Sequence, residues 1–477
     1  MAEKDKKGIN GKLFFILIIC IFLRIILFIF QSPFNNDAHF PVVQYIFQSH
    51  NLPTIFQFDQ AQHPPLYYII ASFFLIFGSE KAVQFFSLLL SIGALIIFFI
   101  LITKLEIKPK TKIYCLLFAG ILPQFIFFGN YISNDSLAIF LGSLIFFQIY
   151  KLIKIPTLLN HVILALILGL GMLTKATFIL FLPILLILII FINVKNHTLK
   201  CMACTPYWFL NTLKLHFPFS RTKVGRLQKE QFFGLKNNKK ILIPCLIFLI
   251  ISLTLGGYKY INNEILYKNP LFNAQDINPD WFAPHRGTYQ GLSSFYDVNL
   301  IKLLNNPYVS EETKHSYPLM LYGTLWYQYI KDSNFNGSSK IFEYLGTLIY
   351  IFAIIPTLIL IIGTLIIIRK IPKLFKYKEL ENRDFLKISF EVFCVLLFLA
   401  NFSFIFYAGL KYDDWAFFQS RYTFPSMFAL LIMLNSGLEF LDNHKTARKF
   451  AYLSLIGLFI LFLFYLAYSV SSILKIV

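Results

Sequence analysis

The sequence predicts an all-α polytopic membrane protein with about eleven transmembrane helices. Three observations carry that prediction. Of 477 residues, 57% are hydrophobic, only 14% are charged, and 56 are phenylalanine. An ordinary soluble domain holds about 45–50% apolar residues, and one or two soluble cores do not hide the excess. Apolar runs near the length needed to cross a hydrocarbon core lie at about 13–30, 81–103, 113–130, 135–152, 160–174, 176–194, 241–258, 341–368, 388–408, 422–440 and 450–474. Basic residues also segregate between alternate loops. Together these features exclude a disordered chain, a disulfide-framed secreted scaffold and a typical cytosolic enzyme.

The first run follows Lys4, Lys6, Lys7 and Lys12, as a signal peptide would. It is too long for a signal core and has no small-residue cleavage site, so it reads as a retained first helix. Leu66 to Phe77 is apolar but too short to span. It follows His63-Pro64-Pro65, ends at Gly78, and reads as a juxtamembrane or re-entrant helix. The run at 160–174 is the shortest of the eleven.

With the N-terminus inside, the loops 104–112, 151–159, 195–240, 369–387 and 441–449 fall on the inner side. They carry four, two, ten, seven and three Lys or Arg. The first outer loop, 31–80, has none, and the outer loop 258–340 balances seven basic against seven acidic residues. This is the positive-inside pattern. Were 66–77 a full crossing, the ten basic residues of 195–240 would lie outside. The expected organisation is one membrane domain over 1–477. It has a first extracytoplasmic loop at 31–80, a basic cytoplasmic loop at 195–240 and a large extracytoplasmic loop at 258–340, before the eighth helix.

The formal charge of +19 is therefore a topology signal and an attraction for anionic membrane lipids, not a nucleic-acid footprint. The chain is placed in the plasma (inner) membrane, multi-pass, with its N-terminus cytoplasmic. Cys20, Cys115, Cys245 and Cys394 lie in apolar runs and read as small hydrophobes. Cys201 and Cys204, near His197 and His216, form a CxxC without the second tight ligand pair of a zinc site.

The two long outer loops are rich in Asn, Asp, His, Pro, Tyr and Trp, which points to chemistry at the outer face. Asp37 lies just after the first helix and suits a general base toward a hydroxyl. It also suits a helix cap before Ala38-His39-Phe40. Asp135 opens a later helix on the same side, with Ser133 and Asn134 competing as caps. Cations are scarce outside, so His63, Lys175 and Arg421 each ask for a reason. A lipid-linked phosphate suits Lys and Arg; snorkelling to headgroups is the plain alternative for both. For His63 that alternative is a turn residue before two prolines. In the large loop, Trp281, His285 and Arg286 offer sugar stacking and an anion clamp, or an aromatic surface on the interface.

Taken together, these segments resemble the GT-C superfamily of membrane glycosyltransferases, in the prokaryotic branch of protein O-mannosyltransferases and the aminoarabinose transferase of lipid A. The likeness rests on Asp37 and His39, on Pro64-Pro65-Leu66-Tyr67-Tyr68, on Asn134-Asp135 followed by Leu173-Thr174-Lys175, and on Gln419-Ser420-Arg421-Tyr422 with Pro425. It covers most of 13–195 and about 400–430. Two departures stand out. Relatives space the acid and the histidine differently, which keeps Asp59 as a reserve base. Aminoarabinose transferases carry Lys where this chain has His63, so the charge there depends on pH.

The resemblance implies an inverting sugar transfer at the extracytoplasmic face. The donor is a polyprenyl-phosphate-linked sugar, and the acceptor is a lipid, glycan or protein. Asp37 is then the base, and Asp135 orients the acceptor or binds a divalent metal. His39, His63, Lys175, Arg421, Tyr422 and Arg286 bind substrate. Two other classes compete. An O-antigen ligase or polymerase would rely on His285 and Arg286. A lipid or solute transporter would place several ionisable residues deep in its helices and show an internal repeat.

Overall fold

In the computed structural model, residues 2–33, 37–198, 235–277, 291–327, 340–376, 380–412 and 415–473 are described. All their regular elements are helical. Among the described residues, eight helices are long and apolar enough to cross a membrane, and two bent pairs raise the number to ten if each is one span. The chain is a multi-pass membrane protein. Ser420–Asn443 is the most enclosed span, and the first helix is the least.

The first helix ends where its orphan carbonyls meet a cation. Lys81 Nζ donates to the carbonyls of Phe28 (2.7 Å) and Gln31 (2.6 Å). Lys81 opens the Glu80–Lys104 helix, which Ser79 caps by accepting from the Ala82 amide at 3.2 Å.

The run expected at 113–130 is two helices, Pro109–Ile121 and Pro123–Asn130, bent by 48°. Pro123 has no N–H, so the Ala119 carbonyl loses its helical partner. Arg24 replaces it: its fully buried guanidinium donates to the carbonyls of Ala119 (3.1 Å) and Gly120 (2.7 Å) and to Ser91 Oγ (3.1 Å). The one charged side chain inside the first span thus completes a broken neighbour.

Contacts sort the loops between two ends of the bundle. At one end, Glu106 pairs with Arg383, Lys108 with Asp442, and Lys387 with Glu439. These pairs join three of the loops with excess Lys and Arg. At the other end, Asp37, Asp135, Lys175 and Arg421 meet.

Leu66–Phe77 starts and finishes at that second end. The Leu66 amide bonds the Leu173 carbonyl at 3.0 Å, and Lys81, just beyond the segment, reaches back to Gln31. The segment is a short helix, Leu66–Phe73, followed by a 3-10 turn, Phe74–Phe77. Tyr67 and Tyr68 are buried, while Phe73, Ile76 and Phe77 are exposed.

The fifteen-residue Leu158–Met172 helix returns alongside Asn134–Lys154. Gln148 Nε2 bonds the Asn160 carbonyl (2.9 Å) near one tip of this hairpin, and Lys175 meets Asp135 at the other.

Two features of the large loop lie outside the hydropathy pattern. The Lys240–Gly256 helix bends by 61° into Tyr258–Tyr267, which turns over the second end. The Tyr317–Trp326 helix is driven into the bundle. Trp326 is fully buried, sits edge-on to Phe118 at 5.7 Å, and donates to Thr357 Oγ1 at 2.9 Å.

Candidate active site

Four segments bring their polar residues to one cavity of about 260 Å³. His39 begins the His39–Ser49 helix, whose N-cap is Ala38 with no side-chain cap bond. Asp37 is therefore not spent on capping. At the start of Asn134–Lys154, Ser133 takes the cap by accepting from the Asp135 amide at 3.2 Å, which leaves the Asp135 carboxylate to face the cavity. Lys175 sits in the turn between Leu158–Met172 and the 3-10 turn Ala176–Leu180. Arg421 and Tyr422 lie in the 3-10 segment Ser420–Ser426.

That last segment is held by a close approach. A Cβ on Gly142 would stand 1.9 Å from the Pro425 carbonyl oxygen. Only glycine lets the Asn134–Lys154 helix and this segment meet, and so sets Arg421 opposite Asp135.

The charges interlock. Lys175 pairs with Asp135, and Arg421 pairs with Asp37. Arg421 also stands 4.0 Å from the second oxygen of Asp135. Lys175 lies over the Tyr422 ring at 4.9 Å, and Arg421 over Phe128 at 5.1 Å. Both cations are buried, so snorkelling does not describe them. Asp135 is enclosed, whereas Asp37 keeps a quarter of its side chain exposed to the cavity. Burial alone would raise the Asp37 carboxyl, but Arg421, then His39, overcome it and hold it at about 2.

The histidines stack. His39 and His63 rings are 5.8 Å apart at 24°. His39 Nδ1 is 2.8 Å from Tyr68 Oη, and Tyr68 donates to the Gln60 carbonyl at 3.2 Å. Tyr68 therefore accepts from His39, which places the ring proton on Nδ1. Burial lowers His39 to about 4 against the pull of Asp37 and Asp135. Burial also lowers His63 well below the ordinary histidine range, helped by His39 and Lys175.

Seven of the eight site residues expected from the sequence line this cavity: Asp37, His39, His63, Asp135, Lys175, Arg421 and Tyr422. Arg286, His285 and Trp281 lie outside the described residues, as do Cys201 and Cys204. Asp59, the reserve base, is exposed and does not line the cavity, although Gln60 and Gln62 of the same 3-10 turn do.

Three participants had no role assigned from the sequence. Tyr68 orients His39. Lys259, on the bent outer helix, donates to the Ala61 carbonyl at 3.0 Å, and Tyr260 bonds the Met172 carbonyl at 3.0 Å. For a metal, the donor set is poor. Among the described residues no three His, Cys, Asp or Glu side chains are grouped to hold one, and both carboxylates are engaged by cations.

No protein-family model matches the chain, and a search of curated proteins finds no match.

Proposed function

We propose that this cavity transfers a sugar from a polyprenyl-phosphate-linked donor to a hydroxyl of a lipid, glycan or protein acceptor, at the extracytoplasmic face of the plasma membrane. The observation that carries the reading is the buried Asp37–Arg421–Asp135–Lys175 cluster at the end of the bundle away from the basic loops. The same residues carry the GT-C resemblance, from segments up to 384 positions apart. In this topology the N-terminus is cytoplasmic, and Leu158–Met172 serves as the fifth of eleven crossings.

The reaction follows from the charges. The acceptor hydroxyl loses its proton to Asp37, the more accessible carboxylate. Its oxygen attacks the anomeric carbon as the bond to the phosphate oxygen breaks, and the electron pair leaves with the phosphate. Arg421 and Lys175 offset that growing charge, so no strong general acid is needed. Attack opposite the leaving phosphate inverts the anomeric centre. Paired with Arg421, Asp37 is a weak base, because the guanidinium holds it ionised. A donor phosphate that draws Arg421 away returns basicity to Asp37 at the moment it is used.

Binding of a polyprenyl phosphate to the purified protein tests the cation assignment. Arg421→Ala weakens binding at least about tenfold, and Lys108→Ala at the opposite end leaves it unchanged. Equal binding by Arg421→Ala removes the phosphate role and with it the reading.

A further inference from the structure

The cavity floor holds two carboxylates and two cations that cancel. An arriving phosphate adds negative charge beside two buried carboxylates, which favours positive charge being taken up next to them. Two further lysines line the cavity away from the carboxylates: the Lys259 ammonium is turned to the Ala61 carbonyl, and Lys411 is exposed.

His39 is built to take that charge. Its Nδ1–H is committed to Tyr68. Its Nε2 stands 3.4 Å from Ser133 Oγ, and the Ser133 hydroxyl donates to Asp135 Oδ2 at 3.3 Å. In the neutral ring Nε2 only accepts, and it competes with Asp135 for the single Ser133 hydroxyl proton. The imidazolium instead donates from both nitrogens, to Tyr68 and to Ser133, and the serine relays to Asp135. The hydrogen bonds suit the charged ring.

The electrostatics of the cluster oppose it. Asp37 and Asp135 favour the charged ring, while Arg421, Lys175 and burial disfavour it. His63, stacked on His39, faces the same groups.

We infer that binding of a phosphate-ester anion in this cavity takes up one proton onto the His39–His63 pair, held at His39 Nε2 against Ser133. The inference rests on the anion-binding part of the proposed function and adds a coupling to it.

Calorimetry of the full chain in detergent, with farnesyl methyl phosphate as probe, tests the coupling. This phosphodiester keeps one fixed charge near neutral pH. Titrations at about pH 7 in buffers of different ionisation heat give the protons taken up per anion bound. The expected value for wild type is about one, with affinity falling about tenfold per pH unit as pH rises, the slope for one linked proton. In the His39→Gln, His63→Gln double variant, uptake falls to about zero and the pH slope flattens. Binding by wild type without proton uptake overturns this inference alone. Uptake that persists in the double variant also overturns it, by placing the proton elsewhere. No binding of the probe at all overturns the anion-site reading beneath it.

Discussion

The two ends of the bundle use the same residue types to opposite effect. At the end with the basic loops, Lys108 and Asp442 pair with side chains 57% and 20% exposed, and Arg383 meets Glu106 with the arginine 72% exposed. At the other end, Lys175 and Asp135 pair at 5% and 3% exposure. Water screens the first set, so those pairs contribute little and mainly tie loops together. The second set has been taken from water at a cost that Coulomb attraction does little more than offset. A fold that needed only stability would fill that space with apolar side chains. Keeping four charges there instead marks the place where the chain handles charge.

Breaking a buried pair gives the largest expected effect on stability. Lys175→Met leaves Asp135 buried without its main partner and destabilises the protein by about 3–5 kcal/mol. The double variant Lys175→Met, Asp135→Leu recovers most of that loss yet stays inactive. A double variant that keeps activity would make the cluster structural. Denaturation in detergent, paired with turnover, reads both.

Gly142→Ala comes next. The added methyl group collides with the Pro425 carbonyl and displaces the segment that carries Arg421. The expected cost is about 1–3 kcal/mol, with phosphate affinity falling alongside stability. An unchanged affinity would separate the 420–426 segment from the site.

Acid sharpens the comparison through His39. Its folded value of about 4, lowered by burial against the pull of Asp37 and Asp135, lies below the ordinary value of 6.5. The unfolded chain therefore binds the proton first. Stability is full above about 6.5 and falls as pH drops toward 4, and His39→Gln flattens that window. Asp37 acts in a lower one. Its carboxyl is held near 2 by Arg421 despite burial, so its contribution is lost only as pH falls from about 3.9 through 2. A melting series across pH that His39→Gln leaves unchanged would contradict the first assignment.

The smallest effect belongs to the screened end. Lys108→Ala shifts stability by less than about 1 kcal/mol, and high salt reduces the shift further.

Much of this was legible in the sequence because the membrane imposes simple rules. Apolar length announced the spans, and the ten basic residues of 195–240, which one more crossing would put outside, kept 66–77 from being counted as one. Asp37, His63, Asp135, Lys175 and Arg421 were legible because charge is scarce on their side. What stayed hidden depends on partners far along the chain. Arg24 makes sense only beside the carbonyls that Pro123 disturbs, 95 and 96 positions away. Lys259 touches the site through a carbonyl 198 positions away. The Tyr317–Trp326 helix carries no span-length run, and its burial comes from Phe118 and Thr357, which local pattern does not reach. Ser133 and Asp135 were equal candidates for one cap. Only the bond from the Asp135 amide to Ser133 shows which of them is left for chemistry.

Turnover of polyprenyl-phosphate sugars by the purified protein, wild type beside Asp37→Asn, tests the central claim most directly. The expected result is release of polyprenyl phosphate by wild type, and a loss of about 10²–10⁴-fold in the variant, which still folds and still binds donor. Full activity in Asp37→Asn, or no turnover of any such donor by wild type, would contradict it.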